Sequence, residues 1–217
     1  MAAFSAFYDD LMPELPGCTT ALVDQHLLRV AREFCEESSA WRVSLIVPSV
    51  AAEPTYDISA PEADSEVVRV IRVTVGDLLL WDAAWRPQPA ATANTATAEP
   101  RYPRSNPPFS MNADNTELTF IADEVPTETA GDGLDLIVAA KPGIAATVIP
   151  DFMKAQHLEA MRAGVLARLM RMAKKPWTDR ELSGFYDREY QRLKGAAAHN
   201  AQMGNTGARL RTSKTRI

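Results

Sequence analysis

Apolar side chains recur at helical spacing near both ends of this chain and at strand spacing between them. Leu27, Val30 and Phe34 share one face of a helix, which predicts an amphipathic helix from about Thr20 to Ser38. Helical spacing returns only after Pro150. The order helix, strands, helices is typical of an α+β fold.

Six short segments between the helical parts have the composition and alternation of strands. Alternation fails around Val70–Ile71, which indicates a β-bulge. Residues 87–108 hold six prolines without hydrophobic periodicity, so we expect a flexible loop or an arm lying on a neighbouring molecule. The six predicted strands are 43–47, 55–59, 67–75, 78–81, 117–122 and 134–140.

A helical hairpin is predicted after Pro150. Asp151 can cap the first of its two helices, and Lys174–Pro176 should end that helix in a tight turn. Thr178 and Glu181 have the spacing of a capping box, which predicts that Thr178 caps the second helix.

Aromatic residues and one glycine should govern the packing of this hairpin. Trp177 and Leu182 are spaced as a hydrophobic staple. We expect Trp177, Phe185 and Tyr186 to form the core or interface of the hairpin. Gly164 interrupts the apolar stripe of the first helix and should allow another backbone to approach closely.

These patterns predict an antiparallel bundle of three long helices, with a β-rich insertion domain between the first and second helices and an extended C-terminal arm. The expected segments are a lead-in with the first helix (1–42), the β-rich insertion (43–148), the helical hairpin (149–198) and the basic arm (199–217).

Charge is distributed unevenly along the chain. The net charge is −5, yet the residues from 195 onward carry +4 and no acid, which leaves −9 on the remainder. An acidic body with a basic tail favours a charge-complementary docking arm. It does not favour a folded basic face that grips phosphates.

No constellation for catalysis or metal binding emerges from the sequence. His26, His157 and His199 are far apart and lie outside any zinc-binding motif. Cys18 and Cys35 are too few for a disulfide framework and are expected to be reduced thiols. Phosphate-binding glycine motifs and a nucleophile elbow are absent. We therefore predict no enzyme activity, no catalytic residue, no metal and no cofactor. No apolar run is long enough for a membrane span.

Four ordered pieces of the sequence carry a family resemblance. They are AREFCEESSAWR (31–42), AAKPGIAATVIPDFM (139–153), AGVLARLMRMAKKPWTD (163–179) and FYDREYQRLKGAAA (185–198). As a set they resemble the head-to-tail adaptor (connector, tail tubular protein A-like) proteins of tailed bacteriophages. The resemblance covers about Thr20–Ala198, and residues 87–108 lie outside its pattern.

The resemblance implies a structural protein of the virion neck, made in the host cytoplasm. It implies a ring of twelve copies that binds the portal protein, meets the tail or nozzle protein and continues the DNA channel without binding DNA specifically. A C-terminal arm would insert into the portal, and an acidic body would let DNA pass because phosphates are repelled. The arm residues that we expect to bind the portal are Arg209, Leu210, Arg211, Lys214 and Arg216.

Two other functions remain open at this point. The basic tail could bind phosphates, as in a nucleic-acid-binding packaging or regulatory protein, and such binding should fall steeply with salt. An enzyme with a pocket in the β-rich region would require converging polar groups, and no such set is evident in the sequence.

Overall fold

A computed structural model of the chain describes residues 1–47, 54–59, 62, 64–75, 78–82, 109–120 and 134–203. Its helices are α1 (Tyr8–Leu11), α2 (Thr20–Ser38), α3 (Asp151–Met170) and α4 (Arg180–Gln202). Its strands are β1 (Ala2–Ala3), β2 (Arg42–Val47), β3 (Thr55–Asp57), β4 (Ser65–Val75), β5 (Leu78–Asp82), β6 (Phe109–Met111), β7 (Glu117–Phe120), β8 (Leu134–Pro142) and β9 (Val148–Ile149).

The prediction of an α+β fold built on a bundle of three long helices is wrong. The described residues form four helices and three small antiparallel sheets. The lead-in is itself structured: α1 lies between two 3-10 turns, Phe4–Phe7 and Met12–Glu14, and β1 pairs with β9. A four-residue helix and two-residue strands are too short to show periodicity, so the sequence pattern could not reveal them. The expected arm, from residue 204, lies outside the described residues.

Helices α2, α3 and α4 share one hydrophobic core with the lead-in. A methyl group of Val30 on α2 lies against Gly164 on α3, whose other neighbour is the ring of Tyr190 on α4. Farther along α2, the ring of Phe34 lies 4.8 Å from that of His157. Since α3 runs antiparallel to both of its neighbours, α2 and α4 point in the same direction.

The boundaries of α2 agree with the prediction. The helix ends because Ser39 adopts a left-handed conformation, with φ of 51°, and its N–H donates to the carbonyl of Cys35 at 2.9 Å. The hydroxyl of Ser38 donates to the carbonyl of Phe34 at 2.6 Å. This compact ending delivers the chain directly into β2.

The turn between α3 and α4 differs from the prediction. Helix α3 already ends at Met170, and the N-cap of α4 is Asp179, whose carboxylate accepts the N–H groups of Glu181 and Leu182. The hydroxyl of Thr178 instead donates to the carbonyl of Met172 at 2.5 Å, inside the turn. The predicted capping box is therefore wrong, although its position is correct to one residue.

The β-rich region is a sandwich of two sheets with its own hydrophobic core. The larger sheet has the order β2-β8-β4-β5 and the smaller one the order β3-β7-β6. Side chains of both sheets share a core in which the ring of Phe120 lies 5.8 Å from that of Tyr56 and 6.4 Å from that of Phe109. Each of the six predicted segments contains a strand, and β4 has register shifts at Val67–Arg69 and Val70–Arg72. The bulge expected in β4 is thus confirmed.

Polar contacts join the helices to the sandwich. Arg32 on α2 donates to the carboxylate of Glu66 on β4, at 3.1 and 2.9 Å, and to the carbonyl of Pro142 at the end of β8, at 2.5 Å. Nearby, Lys141 lies 3.0 Å from the carboxylate of Glu36. These contacts fix the C-terminal half of α2 against the ends of β4 and β8, the two central strands of the larger sheet.

Candidate assembly interface

The predicted arm residues Arg209, Leu210, Arg211, Lys214 and Arg216 all lie outside the described part of the chain. The structure does describe the helix from which the arm continues. Helix α4 extends to Gln202, beyond residue 198, where the hairpin was expected to end. Its last turn is anchored because the carbonyl of buried Ala201 accepts a hydrogen bond from the guanidinium of Arg42 at the start of β2. The chain beyond α4 therefore starts from a fixed point at the junction of helices and sandwich.

An ionic cluster centred on buried Lys194 fixes α4 along its middle. The ammonium group of Lys194, a residue only 6% exposed, lies 3.0 Å from Glu33 and 2.7 Å from Glu37 on α2. Glu33 also pairs with Arg168 on α3. Burial opposes protonation of Lys194, but its hydrogen bonds to the two carboxylates outweigh this effect and raise its pKa. One cluster thus joins all three long helices.

Tyr190 completes the same interface. Its hydroxyl donates to the carbonyl of Val30 at 3.3 Å, and the ammonium group of Lys194 lies 5.0 Å from the centre of its ring. Burial, and then the negative charge of Glu33, raise the pKa of Tyr190, so its hydroxyl stays a proton donor. Local sequence patterns could not reveal these contacts, because Tyr190 and Lys194 lie about 160 residues from their partners on α2.

Tyr186 packs against the helical core and also contacts the lead-in. Its hydroxyl donates to the carboxylate of Glu14 at 2.6 Å, and Glu14 also pairs with Arg162 on α3. Burial and then the bond to Glu14 raise the pKa of Tyr186. Because Glu14 lies in the lead-in, Tyr186 and Arg162 hold the lead-in onto the hairpin.

The other two predicted aromatic residues have opposite environments. Trp177 is buried in the helical core, and its indole N–H has no hydrogen-bond partner among the described residues. Phe185 is 54% exposed, and Leu182, expected to staple onto Trp177, is 43% exposed. The ring of Phe185 contacts only the edge of Tyr186 among the described aromatic rings, at 5.5 Å. Phe185 and Leu182 therefore contribute an apolar surface rather than a core.

A shallow cleft lies beside this apolar surface. It is lined by Arg171, Arg180, Ser183 and Gly184. The hydroxyl of Ser183 is used within the protein, since it donates to the carbonyl of Ala167 at 2.7 Å. Arg171 lies 3.6 Å from Asp187 and is largely exposed. The cleft therefore offers guanidinium groups next to exposed apolar side chains, a combination common in protein interfaces.

Burial shifts the pKa of both cysteines and of two histidines, His26 and His157. Burial raises the pKa of the Cys35 thiol to about 12 and also raises that of Cys18. Burial lowers the pKa of His157, and burial followed by nearby arginines lowers that of His26. In the described ranges, no group of three or more His, Cys, Asp or Glu side chains could hold a metal ion. Within the same ranges, no helix has the length and apolar character needed to cross a membrane.

The sequence matches no protein-family profile, and no curated protein matches it.

Proposed function

We propose that this chain is a structural head-to-tail adaptor of a tailed bacteriophage, which forms a ring between portal and tail and continues the DNA channel. The observation that supports this most is the anchoring of α4. The helix is tied to α2 by Lys194, to the sandwich by Arg42 and to the lead-in by Tyr186. An element held at three places is suited to present a docking segment in a constant direction.

The charge of the chain supports the same role. The segment that follows α4 carries all four positive charges of the C-terminal region and no acid. On a rigid mount, such a segment is suited to an acidic or polar groove on a portal ring, and a net-negative body would repel the phosphates of passing DNA. In this role the protein needs no catalytic residue and no cofactor, and DNA is not bound specifically.

The test is to measure the mass of portal complexes. The portal ring encoded with this protein is mixed with the full-length chain or with a chain that ends at Met203, and the products are weighed by mass photometry. Ending at Met203 keeps all of α4 and its contact with Arg42, unlike a cut within the helix. We expect only the full-length chain to add a discrete mass of several copies.

A second variant separates charge from length. It keeps the full length of the chain but replaces Arg209, Arg211, Lys214 and Arg216 by Ala. This variant and the chain that ends at Met203 should both unfold at the same temperature as the parent chain. If the full-length chain adds no mass to the portal, the adaptor role is wrong. If it also shifts duplex DNA in low salt and loses that shift in high salt, the packaging or regulatory role replaces it.

A further inference from the structure

Two exposed patches of opposite charge lie on the helical part and its junction with the sandwich. The first, the basic patch, is centred on Leu182 and Phe185, one helical turn apart on α4. The arginine-lined cleft borders it, and two lysines of the adjacent turn lie exposed nearby. The basic side chains of this patch are Arg171, Lys174, Lys175, Arg180 and Arg188, against Asp179, Glu181 and Asp187.

The second patch, the acidic patch, is centred on Ile144 in the loop between β8 and β9. Ile144 is 79% exposed, the most exposed large apolar side chain of the described residues. Its conformation is fixed, because its N–H donates to Glu66 at 3.1 Å and the N–H of Gly143 donates to the carbonyl of Asp64 at 2.6 Å. Exposed Asp64 and Glu62 border it, while the charge of Glu66 is already shared with Arg32.

The two patches lie on different elements of the molecule. Ile144 lies before the start of α3, where the C-terminal half of α2 contacts the sandwich. Leu182 and Phe185 lie beside the other end of α3, since Ser183 contacts Ala167.

We infer that the basic patch of one copy docks on the acidic patch of the next copy. Each patch has an apolar centre with a charged border, and the borders have opposite signs, so both the apolar contact and the field favour this pairing. Pairing of two different patches is heterologous, and repetition of a heterologous contact builds a ring when its rotation closes. This inference rests on the proposed ring and names its lateral contact.

The small size of both patches predicts a weak contact between two free copies. Two or three apolar side chains bury little area, and exposed ion pairs contribute about 0–1 kcal/mol each. The contact that closes a ring forms between copies that are already linked, so it costs no further loss of translational freedom. A closed ring is therefore far more stable than a single contact between two free copies. A chemical cross-link can capture the weak form.

The test uses two single-cysteine variants beside the apolar centres, Ala145→Cys and Glu181→Cys, which leave those centres intact. Both side chains are exposed, so both variants should fold, and buried Cys18 and Cys35 give a low background that the parent chain measures. Each variant alone and an equal mixture are treated with a short bis-maleimide at high protein concentration. We expect dimers in the mixture at several times the yield of either variant alone. Equal yields in all three samples, or no cross-linked dimer, would overturn the inference.

A charge exchange provides an independent measurement. Arg180→Glu should abolish the mixed cross-link, and Glu62→Arg on the partner variant should restore it, because the pair of charges is then reversed but still opposite. Failure to restore the cross-link would contradict the pairing. Portal binding by the parent chain distinguishes failure of this contact from failure of the adaptor role. If the parent chain binds the portal but the cross-link does not form, only the contact between patches is wrong. If neither is observed, the adaptor role is wrong as well.

Discussion

Gly164 lies where α2, α3 and α4 pack closely together. A β-carbon at this position would lie 2.6 Å from a methyl group of Val30 and 3.0 Å from the ring of Tyr190. The expected approach of another backbone at Gly164 is therefore wrong, because side chains of two helices fill the space. Gly164 lowers the helix propensity of α3 at this point. Because it has no side chain, Val30 of α2 and Tyr190 of α4 can both pack against it.

Gly164→Ala should destabilise the protein although alanine is the better helix former. Overpacking of a filled core costs about 1–3 kcal/mol, and removing a helical glycine gains about 1 kcal/mol, so we expect a net loss of about 1 kcal/mol in the free energy of unfolding. Urea denaturation followed by circular dichroism measures it. Gly195→Ala, on the exposed side of α4 with nothing within 4 Å, is the control and should gain about 0.5–1 kcal/mol. A gain at both positions would show that the core yields at Gly164.

The face of α4 that is buried could not be predicted from apolar residues alone. The buried face includes Ser183 and Lys194, while Leu182 and Phe185 point to solvent. Polar side chains can occupy a core when partners satisfy them, here the carbonyl of Ala167 and two carboxylates of α2. Those partners are distant in sequence, so a periodicity argument predicted Phe185 as an interface of the hairpin.

Among the individual elements, α4 allows a direct test of its N-cap. Two substitutions at its start distinguish a cap at Asp179 from one at Thr178. The Asp179 carboxylate accepts two N–H groups at 3.0 Å, so Asp179→Ala should lower the free energy of unfolding by about 1 kcal/mol. Glu181→Ala is the matched control: a capping box would make it equally harmful, whereas the observed cap predicts a change within about 0.5 kcal/mol. Thermal or urea unfolding of both variants decides between the two arrangements.

The middle of the helical core should make the protein sensitive to acid. His157 interrupts α3 with φ of −126°, and its ring packs near Phe34 and Phe152. Burial lowers the pKa of His157 and of His26 in the folded chain, whereas the pKa of a histidine in the unfolded chain is about 6.5. As the pH falls, the unfolded chain therefore takes up protons at a higher pH than the folded chain does. The stability that is present above about pH 6.5 is lost as the pH falls below that value.

Urea denaturation at pH 7.5 and 5.5 measures this acid sensitivity. The parent chain should show a lower midpoint at the acidic pH. His157→Gln should reduce the difference between the two midpoints, and His199→Gln, a change on the exposed side of α4, should leave it as in the parent chain. A difference that is the same in all three proteins would exclude His157 as a cause.

The strands were more predictable than their arrangement. In β8, Leu134, Leu136 and Val138 are buried in the sandwich while Asp135 is exposed, and this is the property that alternation reports. The short strand β6 was missed because its three residues, Phe109–Met111, give too little alternation to recognise. The order in which the strands pair depends on contacts between residues that are far apart in the sequence, and local sequence patterns do not reveal such contacts.

On the scale of the whole molecule, Arg32 is the main polar connection between the two cores. Its hydrogen bond is also the largest cause that lowers the pKa of Glu66, so Glu66 is held ionised. Arg32→Ala should release the Glu66 carboxylate and the carbonyl of Pro142 together. We expect faster amide hydrogen exchange in residues 142–147, which include the N–H groups of Gly143 and Ile144, without faster exchange in α4.

The control for this experiment is Arg192→Ala, which removes an exposed pair with Glu189 on the surface of α4. It should leave exchange in residues 142–147 unchanged. Faster exchange throughout the chain in the Arg32 variant would instead mean that this arginine stabilises the fold globally. The acidic patch would then not be a locally fixed loop.

The shared core of the lead-in and the long helices also affects how the protein is made. Helix α2 and the strand β1 emerge early from the ribosome, but their partners α3, α4 and β9 are encoded after residue 147. The sandwich can close over its own core while α2 still exposes an apolar stripe. Such distant pairing slows folding and leaves a nascent chain open to aggregation or chaperone capture. Pulse-labelling during synthesis should therefore find the strands protected before the first long helix.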